Sequence, residues 1–574
     1  MAGGLLNLIS YGNQNIILSG NPSKTFFKST YAKYTNFGMQ KFRIDFVGQR
    51  NLRLTDPSVF EFTVPRYADL LMDTYMVVNL PTIWSPVMPP QDVDASSNLG
   101  KWQPYEFKWI DNIGTQLIDN VRFTVGGAII QEFTGQYLNC LVERDLTGDK
   151  KTLYYQMTGN VPELNNPAYA HGRPGIYPSA FYGGPTATDG PYRTAYEQVG
   201  SEPSIRGRQI YVPLNIWFTM AAKMAFPLIS LQYAELKIEL TLRPVQDLFT
   251  VNKIYLQGDD EQDIAQASLG TQIKPNFNDN RYQFYRFLRS PPKVEINHTD
   301  AYDDKRTNWN ADIHLISTYA FLTEDEARMF ALEPQKYIVK QAYTTVFENI
   351  VGSKKVDLKS LGLVSNWMWF MQRSDVSLRN QWTNYTNWPY SVPPSPPIQA
   401  DGTTCGGVVI GGSGSLYYPQ LNAQLYNTGL YDALNARDIM STWAVVLDGK
   451  YRENQLPRGV VDYVEKYVRT LSAAPSGIYC YNFALQSDIT ECQPSGAINM
   501  SKFSSVEFEV TTIQPPLNAN FQFTAIRSPT TNEVVATQIP RSGIYNFQYN
   551  MVVMEERYNI LNIQSGPAGL EYSR

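Results

Sequence analysis

Residues 211–244 read YVPLNIWFTMAAKMAFPLISLQYAELKIELTLRP, and the fold class is decided in this stretch. It divides into a strand-like YVPLNIWF, a middle AAKMAFPL that contains Pro227, and an alternating LQYAELKIELTL. In the last piece Leu236, Ile238, Leu240 and Leu242 share one face, while Glu235, Lys237, Glu239 and Thr241 share the other. That period of two predicts a strand with one buried face. The proline-bearing middle is a corner, so the expected unit is two strands joined by a short turn, one face dry and one wet, as a β-sandwich sheet requires.

The composition agrees. Of 574 residues, 18% are charged and 13% aromatic, with 38 Tyr, 38 Gly and 36 Pro, the profile of many short strands joined by turns. The length exceeds what one core organises, so two domains are expected. A net charge of −5 without a run of like charge lacks the footprint of a nucleic-acid binder, and no direct contact with nucleic acid is expected. The most apolar window, Met220 to Leu231, is short and holds Lys223 and Pro227, so no membrane-spanning helix is expected. The first residues lack the basic flank and apolar run of a signal peptide, and Ala2 stands where myristoylation needs Gly, which together predict cytoplasmic synthesis. Cys140, Cys405, Cys480 and Cys492 are scattered, as in a reducing compartment. Cys480 and Cys492 flank a hairpin and could be bridged, but two buried free thiols are the expectation.

Taken in order, residues 1–40 form an arm punctuated by Gly3, Gly4, Gly12, Gly20 and Pro22 and ending in Phe26, Phe27, Tyr31, Tyr34 and Phe37. Its aliphatic side chains cannot make a layer of their own and must find apolar surface elsewhere. A first sandwich is expected over 41–245, with loop excursions at about 84–104 and 159–207. Gly126 and Gly127 mark a hairpin turn, and Tyr137, Leu138, Leu141 and Val142 fall at helical spacing just after it. Residues 246–279 read as a linker, and 280–574 as a second sandwich with an excursion at about 379–427. There ADIHLISTYAFLT echoes the earlier ADLLMDTYMVVNLP, and Thr323 with Glu326 predicts a capping box on a short helix. SGIYCYNFALQ and SKFSSVEFEV repeat the strand, corner, strand order of 211–244, which suggests a duplicated plan.

Several blocks carry a family resemblance. The segment 211–244, the opening GGLLNLISYGNQNIILSGNPSKTFFKSTYAKYTNF, WIDNIGTQLIDNVRFTVGGAIIQEF, GIYCYNFALQSD with QPSGAINMSKFSSVEFEV, and the ending YNILNIQSGPAGLEYSR resemble the major capsid proteins of large icosahedral double-stranded DNA viruses, the iridovirus and phycodnavirus group. The resemblance implies an all-β fold, a double jelly roll of two tandem eight-stranded antiparallel β-sandwiches with a few short helices and long surface loops. It implies a homotrimer forming a pseudo-hexagonal capsomer of an icosahedral shell, located in the virion and assembled in the host cytoplasm. Its implied partners are neighbouring capsomers, minor capsid or cement proteins and, through the N-terminal arm beneath the towers, the internal membrane.

No catalytic or cofactor site is expected. His171, His298 and His314 are far apart, without the clustering of a metal-binding jelly roll. The chain contains neither G-x-S-x-G nor a phosphate-binding G-x-x-x-x-G-K-[ST]. Asp259 with Asp260 and Glu324 with Asp325 read as solvated surface rather than a glycosidase pair. Glycosylation sequons occur at Asn297, Asn384 and Asn499, of which Asn384, beside the second excursion, is the one expected to be exposed. The competing function is a carbohydrate-binding or glycan-cleaving β-sandwich, which would also be rich in Tyr and Trp.

Overall fold

The computed structural model describes all residues except 1, 2, 4, 49, 89, 92–97, 173, 180–201, 260–270, 290–307, 392–403, 406–407, 410–416, 419–422, 425–435, 489, 519–520, 522–523, 539–543, 565 and 573–574. Two jelly rolls follow one another along the chain. The first is built from β1 (Phe37–Asp45), β2 (Ser58–Thr63), β3 (Leu70–Leu80), β4 (Ile118–Val125), β5 (Ala128–Thr134), β6 (Arg208–Pro213), β7 (Leu236–Leu242) and β8 (His314–Leu322). The second is built from β9 (Gln335–Ile350), β10 (Ser353–Asp357), β11 (Leu363–Arg373), β12 (Met440–Leu447), β13 (Lys450–Pro457), β14 (Ile478–Asn482), β15 (Val506–Thr512) and β16 (Tyr549–Ile563).

The sheets of the first roll run β1-β8-β3-β6 and β2-β7-β4-β5; those of the second run β9-β16-β11-β14 and β10-β15-β12-β13. Each strand of the second roll therefore occupies the place of the strand eight earlier. All of these pairings are antiparallel. The expected duplication is thus present in the pairing order.

Local sequence explains the elements. β7 buries Leu236, Ile238, Leu240 and Leu242 at 0–2% exposure and leaves the intervening residues half-buried, as its alternation requires. Gly126 and Gly127 both have positive φ (56° and 86°), the conformation a two-residue hairpin needs and that only Gly adopts freely. Helix α1 (Gly135–Asp145) follows, its N-terminus capped by the Thr134 hydroxyl accepting from the Tyr137 amide, and α2 (Gly148–Thr158) comes directly after it. The second core gathers Trp367, Trp369, Trp443, Tyr479, Tyr481 and Phe508, with the Trp369 and Trp443 rings stacked 4.8 Å apart.

Six expectations are corrected. The two strands of 211–244 are not neighbours in one sheet: β6 pairs with β3, whereas β7 pairs with β2 and β4 in the facing sheet. The corner carries the chain across the core, and Trp217, Phe218, Phe226, Leu228 and Leu231 fill the crossing. The boundary at 279/280 is also wrong, because β8 inserts between β1 and β3 and completes the first roll. The echo between residues 311–323 and 68–81 arises because β8 and β3 are partners in one sheet rather than equivalents in two. Residues 246–279 are no free linker: Phe249–Asn252 pairs with Lys108–Trp109 and with Gln272–Ile273, and Phe249 is fully buried. The second roll instead begins after helix α3 (Glu324–Leu332), whose N-cap Thr323 makes no side-chain capping bond. Finally, both long excursions start as packed structure. Val161, Leu164, Ala168 and Tyr177 are buried in the first. In the second, Asn380 donates to the carbonyls of Gln246 and Phe249, and Trp382 to that of Asp247. Residues 180–201 and most of 392–435 lie outside the described residues.

Candidate assembly surfaces

One face of the sheet β9-β16-β11-β14 covers the core of its own roll, through Trp367, Trp369, Met551 and Val553. The other face presents Met368, Phe370, Ile478, Cys480, Val552 and Met554, which join the core of the first roll. Helix α1 lies on that side, with Tyr137, Leu138, Cys140 and Leu141 at most 4% exposed. The two rolls therefore share a dry interface inside one chain.

A buried ionic cluster sits in that interface. Arg144, fully buried, donates to Asp145 Oδ2 at 2.6 Å, to Glu556 Oε1 at 3.0 Å and to Asn366 Oδ1 at 2.9 Å. Glu556 also accepts from Tyr137 at 3.0 Å and Asn366 at 2.6 Å, with the Lys340 ammonium 3.6 Å away. The Ser487 hydroxyl donates to Asp145 Oδ1 at 2.7 Å. Burial alone would raise the Glu556 carboxyl, but Arg144, Lys340, Asn366 and Tyr137 overcome it and hold the group at about 2. For Asp145 burial is the stronger influence and pushes the carboxyl upward against Arg144 and Ser487. Such a cluster fixes register more than it adds stability, since each charge had to leave water.

Other surfaces are open. Every residue from 8 to 41 is exposed, including Ile17 at 85%, Leu18 at 94%, Phe26 at 104% and Phe27 at 98%. The first 44 residues hold five Lys or Arg and no Asp or Glu, so the remainder of the chain carries a net charge of −10. After β13, a π turn over Val460–Val464 runs into an α-helical Glu465–Arg469; together they form α4. Lys466 anchors its inner face, donating to Asp462 at 2.7 Å and to the carbonyls of Ala474 and Pro475. Its outer face shows Tyr463, Val464, Tyr467 and Val468, with Leu471 just beyond.

The residues singled out from sequence do not converge. His171 is exposed and bonds the Ile176 carbonyl. His314 is buried, 2.7 Å from the Asp312 carbonyl oxygen, and His298 lies outside the described residues. Asp259 pairs with Arg281 at 2.7 Å, Asp260 is outside the described residues, and Glu324 pairs with Arg328 on the surface. Asn384, expected to be exposed, is 3% exposed: it donates to the Trp388 carbonyl, accepts from Thr386 and lines a polar cavity of about 290 Å³ between the rolls. Asn499 is exposed and caps a short turn by accepting from the Ser501 amide; Asn297 lies outside the described residues. Cys140, Cys480 and Cys492 are free thiols, and Cys492 is half-buried rather than buried. Sequence reasoning missed the Arg144 cluster, whose only local signal is an arginine ending an apolar helix stripe.

Two eight-stranded jelly rolls of one topology, fused through a buried interface and bare along an arm and a helix face, define a tandem jelly-roll protein. The solved structures agree. This chain aligns with the PBCV-1 virus capsid over 96% of its own length and 100% of that chain, at 18% identity and a TM-score of 0.56. It aligns with the Faustovirus major capsid protein over 94% and 93%, at 12% identity and a TM-score of 0.56.

In sequence, a family model described as major capsid protein N-terminus matches residues 25–275, and one described as large eukaryotic DNA virus major capsid protein matches 326–569. The major capsid protein of Phaeocystis pouchetii virus is 27% identical, with 100% of each chain covered. That of Paramecium bursaria Chlorella virus 1 is 22% identical, again over 100% of each. The chain belongs to the major capsid proteins of large eukaryotic DNA viruses. These relatives leave the glycan-binding alternative without support.

Proposed function

We propose that the chain acts as a structural, non-catalytic shell subunit that closes head to tail into a ring of three. The observation that carries this reading is the repeat itself: each chain supplies two rolls of identical strand order, so three chains present six similar towers and a near-hexagonal outline. Light scattering of the purified protein should give three times the 65.1 kDa chain mass, and a stable monomer or dimer at high concentration would overturn it.

The exposed arm supports a second part of the reading. Its aliphatic and aromatic side chains, carried on a segment without acidic residues, suit an inner-side contact with minor capsid proteins, the internal membrane or an adjoining capsomer. The excursions at about 159–207 and 379–427 would lie at the capsomer surface, facing outward, and assembly would occur in the cytoplasm. Protease should clip free rings between Gly12 and Ser23 but spare the same segment in intact particles; equal cleavage would place the arm outside.

A further inference from the structure

The repeat gives α1 a counterpart, and the two are not treated alike. α1 follows the fifth strand of the first roll, and α4 follows the fifth strand of the second. A glycine stands at the start of each, Gly135 as the first residue of α1 and Gly459 just before the π turn of α4, and each ends in a similar run: Arg144-Asp145-Leu146-Thr147 against Arg469-Thr470-Leu471-Ser472. From glycine to arginine is nine residues in α1 and ten in α4, and the one-residue surplus is what a π turn inserts. Arg469 is thus the counterpart of Arg144. Yet Arg144 is fully buried and bonded to Asp145, Asn366 and Glu556, while the Arg469 side chain is 33% exposed and its nearest carboxylate, Glu465, is 3.6 Å away.

The apolar faces differ in the same sense. α1 is seated on the outer face of the second roll's sheet β9-β16-β11-β14. On α4 the outward residues remain bare: Tyr463 and Val464 are each 54% exposed, Tyr467 90%, Val468 63% and Leu471 48%. The surface equivalent to α1's seat is the outer face of β1-β8-β3-β6, which is buried at its centre, at Val77, His314, Thr318 and Ala320, and open along β1 and at Tyr211. There Phe37 and Met39 are each 59% exposed and Tyr211 36%. Lys41, Arg43 and Asp73 stand beside them with side chains 63%, 43% and 32% exposed. One chain therefore carries both halves of a contact it has already made once internally.

We infer that the outer face of α4 docks on the outer face of the sheet β1-β8-β3-β6 of a second copy of this chain, repeating between copies the seating of α1 within the chain. The contact is heterologous, so it propagates head to tail and closes as a ring. It rests on the proposed ring of three and assigns the surfaces that build it. Arg469 enters the neighbour's sheet beside Asp73, as Arg144 enters beside Glu556. Tyr467 and Val468 form the centre of the contact, where a few desolvated side chains carry most of the affinity.

The test uses the full chain, with Tyr467 replaced by photoreactive benzoyl-phenylalanine and isotopically heavy and light protein mixed before illumination. Mixed-isotope adducts should map to peptides within 37–45, 70–80 or 314–322. Rings of three whose adducts map elsewhere, or that give none, would overturn this contact and leave the ring standing; a preparation without rings would overturn both. As a second arm, Tyr467→Asp with Val468→Asp should weaken association by about 100-fold or more while leaving the near-ultraviolet circular dichroism of the monomer unchanged. Leu378→Asp, at a site 70% exposed on the turn that follows β11, should leave association as it is. An unchanged ring in the double variant counts against the contact.

Discussion

The sheets β1-β8-β3-β6 and β9-β16-β11-β14 have the same strand order and opposite surroundings. In the second, β11 is buried without a break from Val364 to Gln372, on both faces. In the first, β3 mixes buried with half-buried positions, and β1 is exposed over most of its length. Topology is therefore no guide to how many layers cover a sheet. That count is set by α1, which adds a third layer on one sheet, while among the described residues no helix is seated in the same way on the other. The sequence carries the difference as pattern: VSNWMWFMQ is nearly continuous in apolar and aromatic residues, as doubly covered strands are, whereas FGMQKFRID of β1 sets Gln40, Lys41, Arg43 and Asp45 among its apolar residues.

The comparison breaks most sharply at Arg144. Arg144→Met removes the cation that balances Glu556 and Asp145 in the dry interface, and should cost about 3–5 kcal/mol in denaturant unfolding. A loss below about 1 kcal/mol would mean that water enters the interface and the third layer is loose. Next in size, Met368→Ala on the doubly covered sheet should cost about 2–5 kcal/mol, because the methionine is fully buried against the first roll. Arg43→Ala on the open sheet of the isolated chain should stay within about 1 kcal/mol. Equal costs at the two positions would erase the distinction between the sheets.

Acid should reach the same interface more gradually. The Glu556 carboxyl is held at about 2, below its usual value near 4.5, so its contribution is complete above pH 4.5 and fades as pH falls toward 2. Asp145, pushed up by burial, acts in the opposite direction and blunts the change. Glu556→Gln should flatten the pH dependence of the melting temperature between 4.5 and 2; a profile identical to that of the parent protein would place the acid sensitivity elsewhere. The smallest effect belongs to the arm. Removing residues 1–36 should leave the melting temperature of the isolated chain within about 1 °C, since exposed side chains contribute little to the native state. A larger drop would show that the arm packs on its own rolls.

Much of the fold was legible because it is written in local pattern. The alternation of β7, the Gly126–Gly127 turn and the stripe of α1 each report an element from its own residues. The membership of β8 was not legible, because residues 314–322 follow a long irregular stretch and nothing local says that their partners are β1 and β3. Asn384 misled for a related reason. Its neighbourhood, QWTNYTNWPY, is polar and leads into prolines, which looks solvated, yet its amides and hydroxyls bond one another and nearby carbonyls in the cleft between the rolls. The Arg144 cluster draws on residues 137, 144, 145, 340, 366, 487 and 556, and of a constellation spread over four hundred positions a local window shows only the arginine that ends the stripe of α1.

The placement of β8 also sets an order of events during synthesis. β1 and β3 are synthesised by residue 80, but the strand that lies between them is made only at residues 314–322. Until then each has an inner edge with unpaired amides and carbonyls, and β3 holds Leu71, Met76 and Val78 in a half-built layer. Closing so long a loop is slow, and open edges are templates for the wrong chain. On a polysome making many copies at once, neighbouring nascent chains expose the same gap together. A chaperone that shields β1 and β3 until residue 322 emerges would therefore raise the yield of shell protein more than one that acts after release.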